Sequence, residues 1–226
     1  MPNTNSLPAL IHYNPTTYAP HELLERSSSF YRWLNERRTC RDFSDEPIDP
    51  AVIEQIVLTA GTAPSGAHKQ PWHFCLVSNP QLKREIRLAA EAEEYESYTN
   101  RMSKEWLEDL APIGTNWEKP FLEIAPYLIV VFRQPYVVQA DGSKRQNYYV
   151  QESCGIACGL LLAAIHHAGL IALTHTPSPM NFLATLLKRP ENEKPYLLIP
   201  VGYPTKDGRV PNLARKPLDA IATWYR

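Results

Sequence analysis

Three arginines fall within five residues in Arg37-Arg38-Thr39-Cys40-Arg41. A guanidinium offers planar, charge-assisted and often bidentate hydrogen bonds, so this cluster suits a phosphate or a phosphorylated cofactor. A solvated helix end, where cations complement the helix dipole, accounts for it as well. The stretch Thr62-Ala63-Pro64-Ser65-Gly66-Ala67-His68 gathers small residues, a hydroxyl and a glycine that permits close backbone approach. It suits a flat ligand laid against the main chain, and equally a plain turn. Glu94 and Tyr98 stand four apart, hence on one helix face, and Lys119 closes the same charged stretch, about 91–119. An acid, a phenol and an amine converging there would recognise an amino-acid zwitterion. A charged surface hairpin is the alternative. Finally, Thr174-His175-Thr176-Pro177 sets two hydroxyls around an imidazole just after a strand, where they could bond the edge of a ring or simply end the strand in a turn.

Other reactive side chains point to less. Cys154 and Cys158 share a helix face, but no second pair of ligands lies at zinc-site spacing, so Cys40, Cys75, Cys154 and Cys158 read as buried thiols. Four cysteines are too few for a disulfide scaffold. His166-His167 near a helix end complements the dipole. Neither His-Glu-x-x-His nor Gly-x-Ser-x-Gly occurs, which removes support from zinc-protease and serine-hydrolase readings.

The elements that must position these residues are legible in the pattern. Helical spacing of Leu23, Ser27, Phe30 and Leu34 predicts a helix over 21–36. Asp49-Pro50 and Asn79-Pro80 each place a capping side chain before a proline in the first turn, with apolar stripes behind. Strands are expected at Trp72–Val77, Ile124–Phe132, Ile171–Leu173 and Tyr196–Val201. Tyr148–His167 reads as a helix apolar nearly all round, hence a buried central element. Another helix is expected to start at Ser178-Pro179 and end at Arg189-Pro190. Few strands among many helices make an α+β domain over 21–226, with residues 1–20 as a Pro- and Asn-rich arm, disordered or laid on a partner.

Composition sets the outer limits. The chain has 226 residues, 44% hydrophobic and 21% charged, enough for one buried core. A net charge of −1 argues against a generally basic nucleic-acid binder. Nine glycines against 21 prolines argue against a glycine-rich dinucleotide fold. The first residues lack a basic-then-apolar signal pattern, and the longest apolar runs fall short of the ~20 residues a membrane helix needs. A soluble, cytoplasmic chain without a membrane partner is therefore expected.

Taken together, several segments resemble the nitroreductase-like flavoprotein superfamily and, within it, the iodotyrosine deiodinase branch. They are Arg37–Arg41, Thr62–Trp72, Thr115-Asn-Trp-Glu-Lys119, Thr174–Pro177, Pro200-Val-Gly-Tyr-Pro204 and Arg215-Lys-Pro-Leu-Asp219. They run in order through nearly the whole chain. The resemblance implies an α+β nitroreductase-like fold and an intertwined homodimer with FMN at the subunit interface. It places Arg37, Arg38 and Arg41 on the cofactor's phosphate and flavin, with Thr39 and Cys40 between them. Arg215 becomes a late phosphate-side arginine, and Ser65 a flavin contact from the other subunit. Thr174, His175 and Thr176 lie beside the isoalloxazine ring, with the Thr176 hydroxyl near flavin N5 as the catalytic group. Glu94, Tyr98 and Lys119 become lid residues that grip a substrate zwitterion, and Ala67 offers its backbone N–H to the phenolate oxygen.

The implied activity is FMN-dependent reductive dehalogenation of halotyrosines, iodotyrosine giving tyrosine and iodide, with electrons from NAD(P)H or a reductase. A general nitroreductase or quinone reductase and a non-catalytic flavin-binding module remain alternatives. Two departures are visible. The membrane anchor of the animal members has no counterpart here, and His175 stands where they commonly carry threonine.

Overall fold

The computed structural model describes residues 10–226; the first nine residues of the expected arm lie outside the described residues. The chain divides into two compact units, one ending at Glu36 and one running from Arg37 to Arg226. In the first, α1 (Pro20–Glu36) starts where the Ala19 N–H donates to the Glu22 carboxylate at 2.9 Å. None of its residues is buried, so the apolar Leu23, Leu24, Phe30 and Tyr31 stay exposed.

In chain order the second unit holds α2 (Pro50–Gly61), β1 (Trp72–Val77), α3 (Pro80–Glu96), α4 (Lys104–Leu110), α5 (Phe121–Ile124), β2 (Tyr127–Arg133), β3 (Tyr136–Val138), β4 (Lys144–Gln146), α6 (Val150–His167), β5 (Ile171–Ala172), α7 (Asn181–Leu186) and β6 (Lys194–Gly202). The expected caps are in place. The Asp49 carboxylate accepts from the Ala51 N–H and the Asn79 side chain from the Leu82 N–H, both at 2.9 Å.

The main sheet runs β1-β2-β6-β5 with every pairing antiparallel, and β3-β4 form a separate hairpin. β2 is covered on both faces, which is why it reads as a continuous apolar run rather than an alternation. Leu128, Val130 and Phe132 pack with Ile86 and Ala90 of α3, Leu122 of α5 and Leu183 of α7. Ile129 and Val131 face the opposite way, onto Ile53 and Ile56 of α2 and Leu161 and Ile165 of α6. The architecture is α+β, a sheet between two helical layers, as the sequence pattern predicts.

Some features differ from that pattern. β2 begins at Tyr127, because Phe121–Ile124 closes a helical turn and Pro126 separates it from the strand. The third strand stops at Ala172. The helix expected at Ser178-Pro179 begins at Asn181. α6 is buried on one side only, through Ser153, Cys154, Ala157, Cys158, Leu161 and Ile165, while Gly155, Ile156 and Gly159 are exposed. The β3-β4 hairpin was not expected, although Asp141-Gly142, with Gly142 at φ +81°, is its turn signal. Among the described residues no helix is long and apolar enough to cross a membrane.

Candidate active site

The arginine segment is stitched to the edge of the main sheet. Thr39 pairs in parallel with Ala172, and the Cys40 N–H donates to the Ala172 carbonyl at 3.5 Å. The buried Cys40 thiol contacts the Arg209 carbonyl at 3.9 Å. This edge lies beside the segment around 209–215. Arg38 donates to the Pro211 carbonyl. Arg215 donates to the Arg37 carbonyl at 2.8 Å. Among the described residues neither Arg37, Arg38 nor Arg41 makes an ion pair. Burial and the like charges of Arg215 and Arg38 hold the Arg37 guanidinium below its ordinary value. A surplus of positive charge is thus built in, as an anionic ligand requires.

The loop around Ser65 is shaped by its main chain. The Ser65 Oγ accepts from the Gln70 N–H at 2.9 Å. Ala67, His68 and Gln70 lie at φ +50°, +53° and +47°. Left-handed conformations cost non-glycine residues about 1–3 kcal/mol each and persist only where the surroundings impose them. Gly66 allows a close approach, to the chain leading into α6: a Cβ there would lie 2.8 Å from Tyr149 Cδ2 and 2.9 Å from the Tyr148 carbonyl oxygen.

Glu94, Tyr98 and Lys119 converge. Lys119 is 3% exposed and Glu94 9%, and the Lys119 Nζ lies 3.4 Å from Glu94 Oε2. The same ammonium donates to the Asn116 carbonyl and to Thr115 Oγ1, and sits 5.4 Å from the centre of the Tyr98 ring. Burial pushes the Glu94 carboxyl up and the Lys119 ammonium down, and the attraction between them opposes both. Burial also raises the Tyr98 phenol, against a hydrogen bond with Thr115. Thr115 and Asn116 are additions to the expected site; their signal was a hydroxyl four residues before the lysine.

The α-helical path of α3 ends at Glu96 and widens into a π turn over Ser97–Arg101, closed by the Met102 N–H on the Ser97 carbonyl at 2.8 Å. Such turns recur at functional sites. The stretch 91–119 is therefore helical for much of its length rather than a hairpin, and it buries Glu94, Ser97 and Lys119.

The segment 174–176 splits by side. Thr174 and Thr176 are exposed, whereas His175 is buried, 7% exposed. His175 exchanges two main-chain hydrogen bonds with Leu198, at 2.8 and 3.0 Å, which fixes this alternation. Its ring meets Phe121 edge-on at 5.9 Å. Burial, followed by the charges of Lys119 and Arg41, pushes its pKa down to about 3, so the imidazole is neutral. Its Nε2 is buried without a protein partner.

The sequence-derived candidates thus form two groups, with His175 between them. Arg37, Arg38 and Arg215 gather at the sheet edge; Glu94, Tyr98 and Lys119 gather over α3. Arg41 and His175 are electrostatically coupled to Lys119. Ser65 and Ala67 stay within their own loop. A separate groove of about 1,090 Å³, bordered by Lys83, Arg87 and Glu123, contains none of these residues.

With this geometry in hand, comparison with known proteins is specific. Residues 34–203 match the family described as "Nitroreductase family". An iodotyrosine deiodinase of Haliscomenobacter hydrossis is 63% identical over 218 residues, 96% of this chain and 98% of that protein. Iodotyrosine deiodinase 1 of Homo sapiens is 46% identical over 212 residues, 93% of this chain and 73% of that protein. Among solved structures, an oxidized iodotyrosine deiodinase bound to FMN and 3-iodo-L-tyrosine superposes with a TM-score of 0.73 at 30% identity, covering 86% of this chain and 100% of that one.

Proposed function

The chain belongs to the nitroreductase family, in its iodotyrosine deiodinase branch, and we propose that it dehalogenates halotyrosines reductively with FMN as cofactor. What carries this reading is the buried Glu94–Lys119 pair with Tyr98 beside it. A carboxylate and an ammonium set opposite each other are complementary to the two ends of an amino-acid zwitterion. A reductase of simple aromatics has no use for them.

The residues fit the cofactor. Among the described residues no acidic side chain pairs with Arg37, Arg38 or Arg41, which suits a phosphate. Arg215 would hold the same end. The exposed hydroxyls of Thr174 and Thr176, with Ser65 from a second subunit, would face the ring, and the Thr176 hydroxyl would hold the proton-donating position at its edge. Bound and reduced, FMN supplies the two electrons that, with a proton, convert a carbon–halogen bond into carbon–hydrogen and halide.

The chain's own residues bind and orient the substrate. Glu94 receives its ammonium, while Lys119 and Tyr98 receive its carboxylate. The Ala67 N–H, in a loop with left-handed backbone at Ala67, stabilises the phenolate form. The 91–119 segment covers the site and excludes water.

The reading includes a homodimer, because the family resemblance assigns Ser65 of one subunit and the arginines of the other to one site. The exposed Gly155, Ile156 and Gly159 face of α6 and the exposed Leu218, Ile221, Trp224 and Tyr225 near the C-terminus support it. Electrons come from NAD(P)H or a reductase. All four cysteines are free, which suits a reducing, cytoplasmic setting. Mixing the reduced holoprotein anaerobically with 3-iodotyrosine should release iodide and tyrosine while the flavin reoxidises. Protein that stays colourless with added FMN, or reduced protein inert to iodotyrosine, would sink this reading. A flavin-loaded monomer in light scattering would remove the dimer from it.

A further inference from the structure

Lys119 sits at the entrance of α5, and its position depends on α3. Its main-chain N–H donates to Glu91 Oε1 at 2.8 Å. The other oxygen of that carboxylate, Oε2, accepts from Arg87 Nη1 at 2.7 Å. Arg87 in turn donates through Nε to Glu123 Oε2 at 2.7 Å, on α5 itself. Its neighbour Lys83 donates to the Glu123 and Ala125 carbonyls at 2.9 and 2.8 Å, fastening the end of α5 to the same helix. Both Glu91 oxygens are therefore committed, one to each partner, and a charge-assisted pair locks the orientation in which the second grips Lys119. Glu91 and Glu94 are three apart, so one face of α3 holds both the lysine's main chain and its ammonium.

We infer that Glu91, oriented by Arg87, is a positioning residue that fixes the main chain of Lys119 and so sets where the ammonium meets a substrate carboxylate. The inference rests on the halotyrosine reading above. Neither residue contacts the ligand in this role; they act through Lys119. A clamp of this kind works only if its charge is placed within a fraction of an ångström, since a misplacement of about 1 Å can cost on the order of a hundredfold.

The test compares two substrates on flavin-loaded protein: iodotyrosine, which needs the clamp, and a simple nitroaromatic, which needs only the cofactor. Glu91→Ala should raise KM for iodotyrosine about tenfold, the scale of one lost hydrogen bond to a charged group, with kcat much less affected. Nitroaromatic turnover and flavin content should be unchanged. Glu91→Gln keeps an acceptor for the Lys119 N–H and should recover part of the loss. Equal losses on both substrates, or no loss on iodotyrosine, would overturn the positioning role. Should Glu91→Ala fail to fold, Arg87→Gln, at a partly exposed position, carries the same readout with the same two outcomes. Wild-type protein that binds iodophenol as well as iodotyrosine would instead overturn the substrate reading, and this inference with it.

Discussion

The arginine segment and the clamp solve opposite electrostatic problems. Around Arg37, Arg38 and Arg41, none of the three makes an ion pair among the described residues, Arg38 donates to a carbonyl, and like charges press on Arg37. Around Lys119, cation meets anion, and the ion pair is buried. The first arrangement is destabilised until an anion arrives. The second is satisfied on its own and must be opened to admit a ligand carrying both charges. On the proposed reading, charge balance in the free protein is what distinguishes the phosphate side from the zwitterion side, even though both use basic side chains.

The largest test of this contrast lies in the clamp. Removing one partner of a buried ion pair strands the other, at a cost of about 3–5 kcal/mol. Glu94→Gln and Lys119→Gln should each lower the unfolding free energy toward that range in denaturant titrations. Each should also weaken iodotyrosine binding roughly 10–100-fold while leaving nitroaromatic turnover largely intact. The double variant should regain much of the stability and none of the binding. Single variants as stable as wild type would mean that the pair is not buried in solution.

The arginine side should behave the other way. Arg38→Ala removes a repelling charge, so the free protein should lose little stability. FMN affinity should fall roughly 10–100-fold, measured by fluorescence titration, and both substrates should suffer equally once flavin is limiting. A change in the ratio of the two activities would merge the two regions into one. The loop beside them gives a smaller effect. Gly66→Ala drives a Cβ toward the Tyr148 carbonyl oxygen, a backbone atom that cannot step aside. A loss of about 1–3 kcal/mol in thermal unfolding is expected.

How far the sequence revealed this division depends on the kind of signal. Asp49-Pro50 and Asn79-Pro80 marked their helices because capping is a local event, settled by three or four residues. Trp72–Val77 was legible as a strand from its β-branched and aromatic content. The run Ile124–Phe132 misled because apolar content does not separate a buried helical turn from a buried strand; Pro126 held the dividing information. α6 misled differently. A face of Gly155, Ile156 and Gly159 is as apolar as the core, yet it stays exposed among the described residues. Spacing alone suggested that Glu94 and Tyr98 share a face, but that Lys119 reaches them is a tertiary fact. The Arg87–Glu91 bridge had no signal beyond ordinary helical i,i+4 pairing, because what it holds is a main-chain N–H 28 residues away.

The smallest effect belongs to the residue between the two regions, and it vanishes at neutral pH. His175 is held near Lys119 and Arg41, one charge from each group, and burial together with those charges lowers its pKa from 6.5 to about 3. The folded protein therefore refuses a proton that the unfolded chain accepts. Above about pH 6.5 both states are neutral and the imidazole contributes nothing to the pH dependence. Below that, the unfolded state gains the proton alone, so stability falls as pH falls, by up to about 1.4 kcal/mol per unit, until the folded ring itself titrates. Between pH 7 and pH 5 this amounts to about 2 kcal/mol. His175→Asn abolishes the titration, so its unfolding free energy should drop less than that of wild type over the same interval, whatever the substitution costs at pH 7. FMN should flatten the wild-type slope if its negative charge offsets the neighbouring cations and lets the ring accept a proton. Parallel slopes for wild type and His175→Asn would show that the imidazole is solvated, and that the two regions do not meet at a buried neutral histidine.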